Sequence, residues 1–155
     1  MKIPGILQVL LLAFAFGVTG INVGQAVQTL EAEFLKTERM AEQGDAKAQF
    51  QLGAMYEYGL RGAPKDEIVA AMWYRRAAEQ GDAMAQHSLG HMYQYGRGGL
   101  EQDEAKAAQW YTKAAAQGNL GAQKNLNAMQ SMQKGEQENG QATPRRYSKE
   151  GPRGM

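Results

Sequence analysis

The strongest constraint on this chain is an internal repeat with an offset of 37 residues. The segment that begins at Asp45 recurs from Asp82 with its alanine, leucine-glycine and tyrosine positions kept. The aromatic pair further along recurs with the same offset, as Trp73-Tyr74 and Trp110-Tyr111. A repeat of this length is typical of a helical hairpin that buries its apolar face only by stacking on its neighbours. The sequence therefore predicts an all-α fold, a short α-solenoid of antiparallel helix pairs.

Local signals place two helices in each copy. Asp45 is a good N-cap for the first helix, here called helix A, and Gly59 is expected to end it because glycine accepts the left-handed conformation. Asp66 is expected to cap the second helix, helix B, and Gly81 to close it. The same signals recur in the second copy, so both repeats are predicted to have the same helix bounds.

Two features of the helices predict how they pack. Gly53 and Gly90 stand in the middle of helix A in the two copies, where glycine costs about 1 kcal/mol relative to alanine, which indicates close helix contact. On helix B, the spacing of Val69, Trp73 and Ala77 predicts that these three residues face the core together.

Partial copies flank the two complete repeats and are expected to cap the array. The predicted organisation is a signal peptide (1–26), an N-terminal capping helix (27–44), repeat 1 (45–81), repeat 2 (82–118), a C-terminal capping helix (119–133) and a disordered basic tail (134–155).

The first residues have the features of an export signal. Lys2 gives a positive start, residues 6–18 form an apolar run too short for a typical membrane span, and Gly24-Gln25-Ala26 offers a cleavage site of small residues. We expect cleavage after Ala26, no stable membrane span afterwards, and a location in the periplasm or outside the cell. The chain has no cysteine, which excludes a lipid anchor on cysteine, disulfides and thiolate metal sites.

The repeated motif resembles the Sel1-like repeat. It reads Ala-x-x-x-Leu-Gly-x-x-Tyr-x-x-Gly, then an aspartate, then Ala-x-x-Trp-Tyr-x-x-Ala-Ala-x-x-Gly. The principal matching positions are Leu52, Gly53, Tyr56, Gly59, Trp73, Tyr74 and Gly81 in the first copy and Leu89, Gly90, Tyr93, Gly96, Trp110, Tyr111 and Gly118 in the second. The resemblance implies a superhelix related to tetratricopeptide repeats that acts as a scaffold or adaptor. Exported bacterial members of this family are often linked to host-cell interaction or envelope assembly.

Nothing in the sequence predicts catalysis or a cofactor. His87 and His91 lie one helical turn apart, as in some zinc sites, but no third ligand accompanies them, so no metal site is predicted. The Asp66-Glu67 pair recurs at a capping position, which explains it without acid-base chemistry. Ser88 follows His87 directly, and such neighbours point about 100° apart on a helix.

A protein is the expected partner. The charges nearly cancel, with 17 basic and 16 acidic residues, and this balance does not favour nucleic acid. Helix A usually lines the concave face of a helical solenoid, and a binding site should use positions where the two copies differ. The candidate contacts on this basis are Phe50, Ala54, Glu57, His87, His91 and Gln94. The two histidines could make binding sensitive to pH below about 6.5.

Two other functions remain open at this stage. One is an enzyme or binding protein for β-lactams, as reported for a cysteine-rich branch of the family, although this chain lacks the cysteines. The other is a periplasmic helper in envelope assembly, in which the basic tail would contact anionic polymers.

Overall fold

The computed structural model describes residues 23–140, which form α-helices joined by short turns. The helices are α1 (Val23–Glu42), α2 (Ala46–Tyr58), α3 (Glu67–Glu79), α4 (Ala83–Tyr95), α5 (Glu104–Ala116) and α6 (Leu120–Gly140). Each packs most extensively against the helices before and after it in the chain. By their positions in the repeat, α2, α4 and α6 are A helices, and α1, α3 and α5 are B helices. The predicted all-α solenoid is confirmed.

The two ends of the chain lie largely outside the described residues. The residues outside the described range are 1–22 and 141–155. They make up most of the predicted signal peptide and most of the predicted basic tail. The expected cleavage point after Ala26 falls in the first turn of α1. Within residues 23–140, no helix has the length and apolar character needed to cross a bilayer.

Local capping sets the bounds of the helices, as the sequence predicted. The Asp45 carboxylate accepts a hydrogen bond from the Ala48 N–H at 2.7 Å, and Asp82 caps α4 with the same geometry. At the other end, Gly59 and Gly96 adopt the left-handed conformation, with φ of 66° and 62°. These caps leave helices of 13 residues in the two complete repeats.

The last helix differs from this pattern. It continues to Gly140, beyond the expected end at residue 133. The reason lies in the repeat itself: the residue 37 positions after Gly96 is Gln133, not glycine. Glutamine has a Cβ that disfavours the left-handed turn, so the helical conformation persists past the point at which α2 and α4 stop.

The tyrosine of each aromatic pair is fully buried in the core, and the tryptophan packs at the margin of the core. Tyr74 and Tyr111 are fully buried, with 1% and 0% of their surfaces exposed. Ala77 is buried as expected, whereas Trp73 and Val69 are only half-buried. Trp73 still packs against the core cluster that contains Leu52 and Met55. Alanines and Tyr74 fill the space against helix A, and Trp73 lies at the edge with the Arg76 guanidinium 4.6 Å from its ring.

The mid-helix glycines permit this packing. A Cβ added at Gly53 would lie 2.7 Å from Cδ1 of Tyr74 and 3.3 Å from the carbonyl oxygen of Ala70. At Gly90 the corresponding approach to Tyr111 is 2.8 Å. The expectation that these glycines mark close helix contact is confirmed.

Candidate functional site: the helix A face

The three A helices each carry one stripe of exposed and half-buried residues on the side turned away from their fully buried positions. The stripe follows the spacing i, i+4, i+7 and i+11, which keeps its members on one side of a helix. We call these residues the helix A face: Lys47, Gln51, Ala54 and Tyr58 of α2; Met84, Ser88, His91 and Tyr95 of α4; Gly121, Asn125, Ala128 and Met132 of α6.

Contacts between successive A helices join these stripes into one surface. Phe50 of α2 packs against the core cluster that contains Ala85 and Leu89 of α4. One repeat further on, His87 of α4 receives a hydrogen bond from the side-chain amide of Asn125 of α6, at 3.2 Å. The A helices therefore lie side by side, and their exposed stripes are adjacent.

The helix A face carries large apolar side chains and a single lysine, Lys47. Tyr58, Met84, Tyr95 and Met132 each expose more than half of their surface. The His91 ring lies 4.6 Å from the Tyr95 ring, measured between centroids. Aromatic residues and methionine are enriched in protein interfaces, and methionine adapts to partners of different shape. This composition suits contact with a protein more than contact with a polyanion.

The structure distributes the six residues predicted as partner contacts among three environments. Ala54 and His91 belong to the exposed stripe. Phe50 and His87 lie at its flank, where each ring also packs against the buried tyrosine of its own repeat, with centroids 5.7 Å and 5.6 Å apart.

The other two predicted contacts, Glu57 and Gln94, hold internal partners. The Tyr74 hydroxyl donates a hydrogen bond to Glu57 at 2.8 Å, and the Tyr111 hydroxyl donates to Gln94 at 2.7 Å. Glu57 is buried, with 7% of its surface exposed. The two positions differ in sequence, yet both serve to anchor the tyrosine of helix B.

Arg97 links the two repeats around this buried carboxylate. Its guanidinium lies 3.2 Å from Glu57 and 2.8 Å from Glu67 at the start of α3. The hydrogen bond from Arg97 lowers the pKa of Glu67 below its ordinary value. Burial raises the pKa of Tyr74, and the hydrogen bond to Glu57 raises it further, so this hydroxyl stays protonated as a donor. Burial likewise raises the pKa of Tyr111 to about 12.

The two histidines favour their neutral forms. Burial lowers the pKa of His87, and the nearby His91 lowers it further. Burial is also the largest cause that lowers the pKa of His91, followed by the charge of Arg97. The rings have different neighbours, Asn125 and Tyr95. Among residues 23–140, no group of three or more metal-ligating side chains of the histidine, cysteine or carboxylate type comes together.

Ser88 and His87 are directed to different side chains. Its hydroxyl makes a hydrogen-bonding contact with the Tyr74 hydroxyl, whereas His87 is directed to Asn125 on the next A helix. Ser88 and His87 therefore hold separate partners and do not form a nucleophile-base pair.

Sequence reasoning missed a ladder of glutamines that connects the repeats. Gln49 and Gln86 are buried and donate to the carbonyl oxygens of Ala41 and Ala78, at 3.0 Å and 3.1 Å, at the end of the preceding B helix. Each also accepts a hydrogen bond from the glutamine that ends the following B helix: Gln80 at 2.7 Å for the first, and Gln117 at 2.8 Å for the second. The signal was present in the sequence, because both pairs recur at the offset of 37 residues.

This geometry defines the class of protein: a short α-solenoid of stacked helical hairpins, with one face formed by the A helices. The Sel1 repeat model matches residues 46–82 and 83–119. The chain therefore contains two Sel1 repeats, and the resemblance stated from the motif is confirmed. A search of curated proteins found no match.

Two solved structures show the same architecture. The crystal structure of a Sel1 repeat protein from Oxalobacter formigenes shares 38% sequence identity, with a TM-score of 0.61 over 64% of this chain and 28% of that chain. A protective antigen present in uropathogenic Escherichia coli strains, which displays an SLR fold, shares 41% identity, with a TM-score of 0.58 over 62% of this chain and 20% of that chain. The chain thus spans less than a third of the length of either protein.

Repeats of this family are associated with a general function. Sel1 repeats generally mediate contacts between proteins, and proteins built from them are typically non-catalytic scaffolds.

Proposed function

We propose that this chain is an exported bacterial adaptor that binds another protein across the helix A face. The observation that carries the proposal is the exposure of Tyr58, Tyr95 and Met132 at the same repeat position on three adjacent helices, with Met84 exposed on the same stripe of α4. Side chains of this kind bury much apolar area when a partner covers them, and they often dominate binding energy. Ala54 and His91, two of the residues expected from the sequence, lie among them.

The flanking residues have a supporting role in this proposal. Phe50 and His87 border the exposed stripe and would contact a partner at its edge. Glu57 and Gln94 act through the tyrosines that they anchor, which hold the A helices at their spacing. The partner would therefore meet Tyr58 and Tyr95 directly and the buried network only indirectly.

Export is supported by the order of features in the first residues. A lysine, an apolar run and a site of small residues occur in the sequence required of a signal peptide. N-terminal sequencing of the protein recovered from cell fractions tests this part. A chain that begins at Val27 in the periplasm or the medium is expected, and a chain that keeps residues 1–26 in the cytoplasm would contradict it.

The binding surface is tested by two matched pairs of substitutions. Affinity capture from envelope extract and from host-cell lysate, with identification by mass spectrometry, supplies the partner. Its dissociation constant is then measured for Tyr58→Ala/Tyr95→Ala on the helix A face and for Ile68→Ala/Met72→Ala on the opposite layer. The side chains of the two pairs are similarly exposed, between 54% and 63%.

We expect the tyrosine pair to weaken binding by about tenfold or more, since a tenfold change corresponds to about 1.4 kcal/mol and aromatic anchors often exceed that. The control pair should leave the dissociation constant unchanged. Equal effects of the two pairs, with both variants folded by circular dichroism, would place the binding site elsewhere.

A further inference from the structure

Each end of the described array presents half of a repeat. At the N-terminal end, α1 occupies the position of a B helix, since Ala41 and Gly44 correspond to Ala78 and Gly81, yet no described A helix precedes it. At the C-terminal end, α6 occupies the position of an A helix, and no described B helix follows it. Within residues 23–140, one end thus has a B helix without an A helix before it, and the other end has an A helix without a B helix after it.

A groove marks the vacant position beside α1. It has a volume of about 360 Å³ and lies between α1 and α2. Its lining includes Glu33, Thr37 and Met40 of α1. These residues correspond to Ala70, Tyr74 and Ala77 of α3, which are buried in the complete repeat. The groove is therefore the place that an A helix would fill.

The unpaired side of α6 has the matching set of positions. Gln123, Leu126 and Asn127 correspond to Gln49, Leu52 and Gly53, which are all buried in the first repeat. In α6, Gln123 and Asn127 are exposed, and they form a hydrogen bond with each other at 3.0 Å. Leu126 is only half-buried.

We propose that α6 of one copy of this chain docks in the groove beside α1 of a second copy, so that the two helices complete a hybrid repeat. The contact continues the packing of helix A on helix B that already joins α2 to α3 and α4 to α5.

The lengths of the two helices support this pairing. Both helices are longer than the four helices between them, which have 13 residues each. After the proposed cleavage, α1 keeps an N-terminal extension over residues 27–29, and α6 is extended at its C-terminus by residues 133–140. In an antiparallel pair these extensions lie at the same end, so they run beside each other.

The side chains at the closest contact are also complementary. Inside a repeat, a glycine faces a tyrosine, because Gly53 approaches Tyr74. In the hybrid repeat, Asn127 would stand at the glycine position and Thr37 at the tyrosine position. The larger residue on one side is thus offset by a smaller one on the other, which preserves the volume that close packing requires.

A polar contact of the repeat is kept as well. Gln80 donates to Gln49 within the first repeat, at 2.7 Å. The corresponding pair in the hybrid repeat is Gln43 of one copy and Gln123 of the other. Met40 and Leu126, both partly exposed in the single chain, stand at positions whose counterparts are fully buried.

This contact joins different surfaces of the two copies, so it does not close on itself. Such heterologous contacts form open chains of copies unless a rotation closes them into a ring. The helix A face would then continue from one copy to the next.

Single-cysteine variants test the proposal directly, because the sequence contains no cysteine. The whole chain is expressed in bacterial cells, purified in the form those cells deliver, and treated with a short bismaleimide cross-linker. A mixture of Thr37→Cys and Asn127→Cys should give dimers that neither variant gives alone. The double variant should give a ladder of higher multiples. A mixture of Met72→Cys and Gln109→Cys, both exposed on the opposite layer, serves as the collision control.

A second measurement protects the test against variants that fail to fold. The wild-type chain should increase in average mass with concentration in sedimentation equilibrium. Gln43→Glu/Gln123→Glu should return it to the monomer mass, because two carboxylates would then face each other. Cross-linking no greater than in the control mixture, dimers from Asn127→Cys alone, or a wild-type chain that stays monomeric would each overturn the proposal and identify the polar ends as simple caps.

Discussion

Replacement of Gly53 by alanine should destabilise the protein, although alanine is the better helix former. The added Cβ would lie 2.7 Å from Cδ1 and 2.8 Å from Cε1 of Tyr74. Non-bonded carbon atoms attract best at about 3.5–4.0 Å, so the ring or the helix must move by roughly 1 Å. The ring has no free path, because it is fully buried and its hydroxyl is held by Glu57 at 2.8 Å.

The opposing effects differ in size. Alanine favours the helix by about 1 kcal/mol relative to glycine. Overpacking of a close-packed core costs about 1–3 kcal/mol, and displacement of the ring weakens a hydrogen bond to a carboxylate worth about 1.5–3 kcal/mol. We expect a net loss of about 1–3 kcal/mol in the free energy of unfolding for Gly53→Ala.

Urea unfolding followed by far-ultraviolet circular dichroism measures this change. Gly90→Ala should behave in the same way, because its Cβ would approach Tyr111 at 2.8 Å. Gly135→Ala is the control: this glycine lies within α6 with nothing within 4 Å of an added Cβ, so alanine should stabilise by about 0.5–1 kcal/mol. If Gly53→Ala stabilised the protein as Gly135→Ala does, close approach to Tyr74 would not be the reason for the glycine.

Three further changes test the polar contacts. Gln86→Ala should lower the free energy of unfolding by about 1–2 kcal/mol, because two hydrogen bonds of the glutamine ladder are lost, and an unchanged urea midpoint would contradict this. The hydrogen bond from Arg97 holds the pKa of Glu67 below 4.5, so this ion pair stabilises the fold above pH 4.5 and the stabilisation is lost as the pH falls through the lower pKa of the folded state. Urea titrations at several pH values should show a weaker acid dependence of the free energy of unfolding for Glu67→Gln than for the wild type. Burial holds the pKa of His87 below 6.5, so the fold should lose stability as the pH falls from 6.5 through the lower pKa of the folded state. His87→Gln should reduce that loss. Equal slopes of the free energy of unfolding against pH for the variant and the wild type would refute this prediction.

The repeat and its local signals predicted most of the fold. Asp45 and Gly59 bound α2 where the sequence places the ends of the helix, because capping depends on residues within one turn. The predicted end of α6 was wrong. The residues from Lys134 onward offer little to bury and were therefore interpreted as disordered, although the sequence has no glycine at position 133 to end the helix. The mid-helix glycines correctly indicated close contact, although the sequence did not say with which side chain.

The candidate binding surface could be predicted less completely. Comparison of the two copies selected helix A, and two of the residues it selected, Ala54 and His91, lie in the stripe that the structure leaves accessible. It also selected Glu57 and Gln94, because positions that differ between the two copies were interpreted as having no structural role. The structure shows that glutamate and glutamine serve equally well as acceptors for the tyrosine hydroxyl, so the position can vary without losing its internal role.

Periodicity and capping are local properties of the chain, so the number of repeats, the ends of the internal helices and the all-α class could be derived from the amino acids alone. Which neighbour each side of a helix meets depends on how the helices pack in three dimensions. Adjacent residues on a helix differ by about 100° in direction, and the choice of Tyr74 over Trp73 for the core depends on that angle relative to α2. Packing between helices sets the angle, and with it the stripe that remains open to a partner.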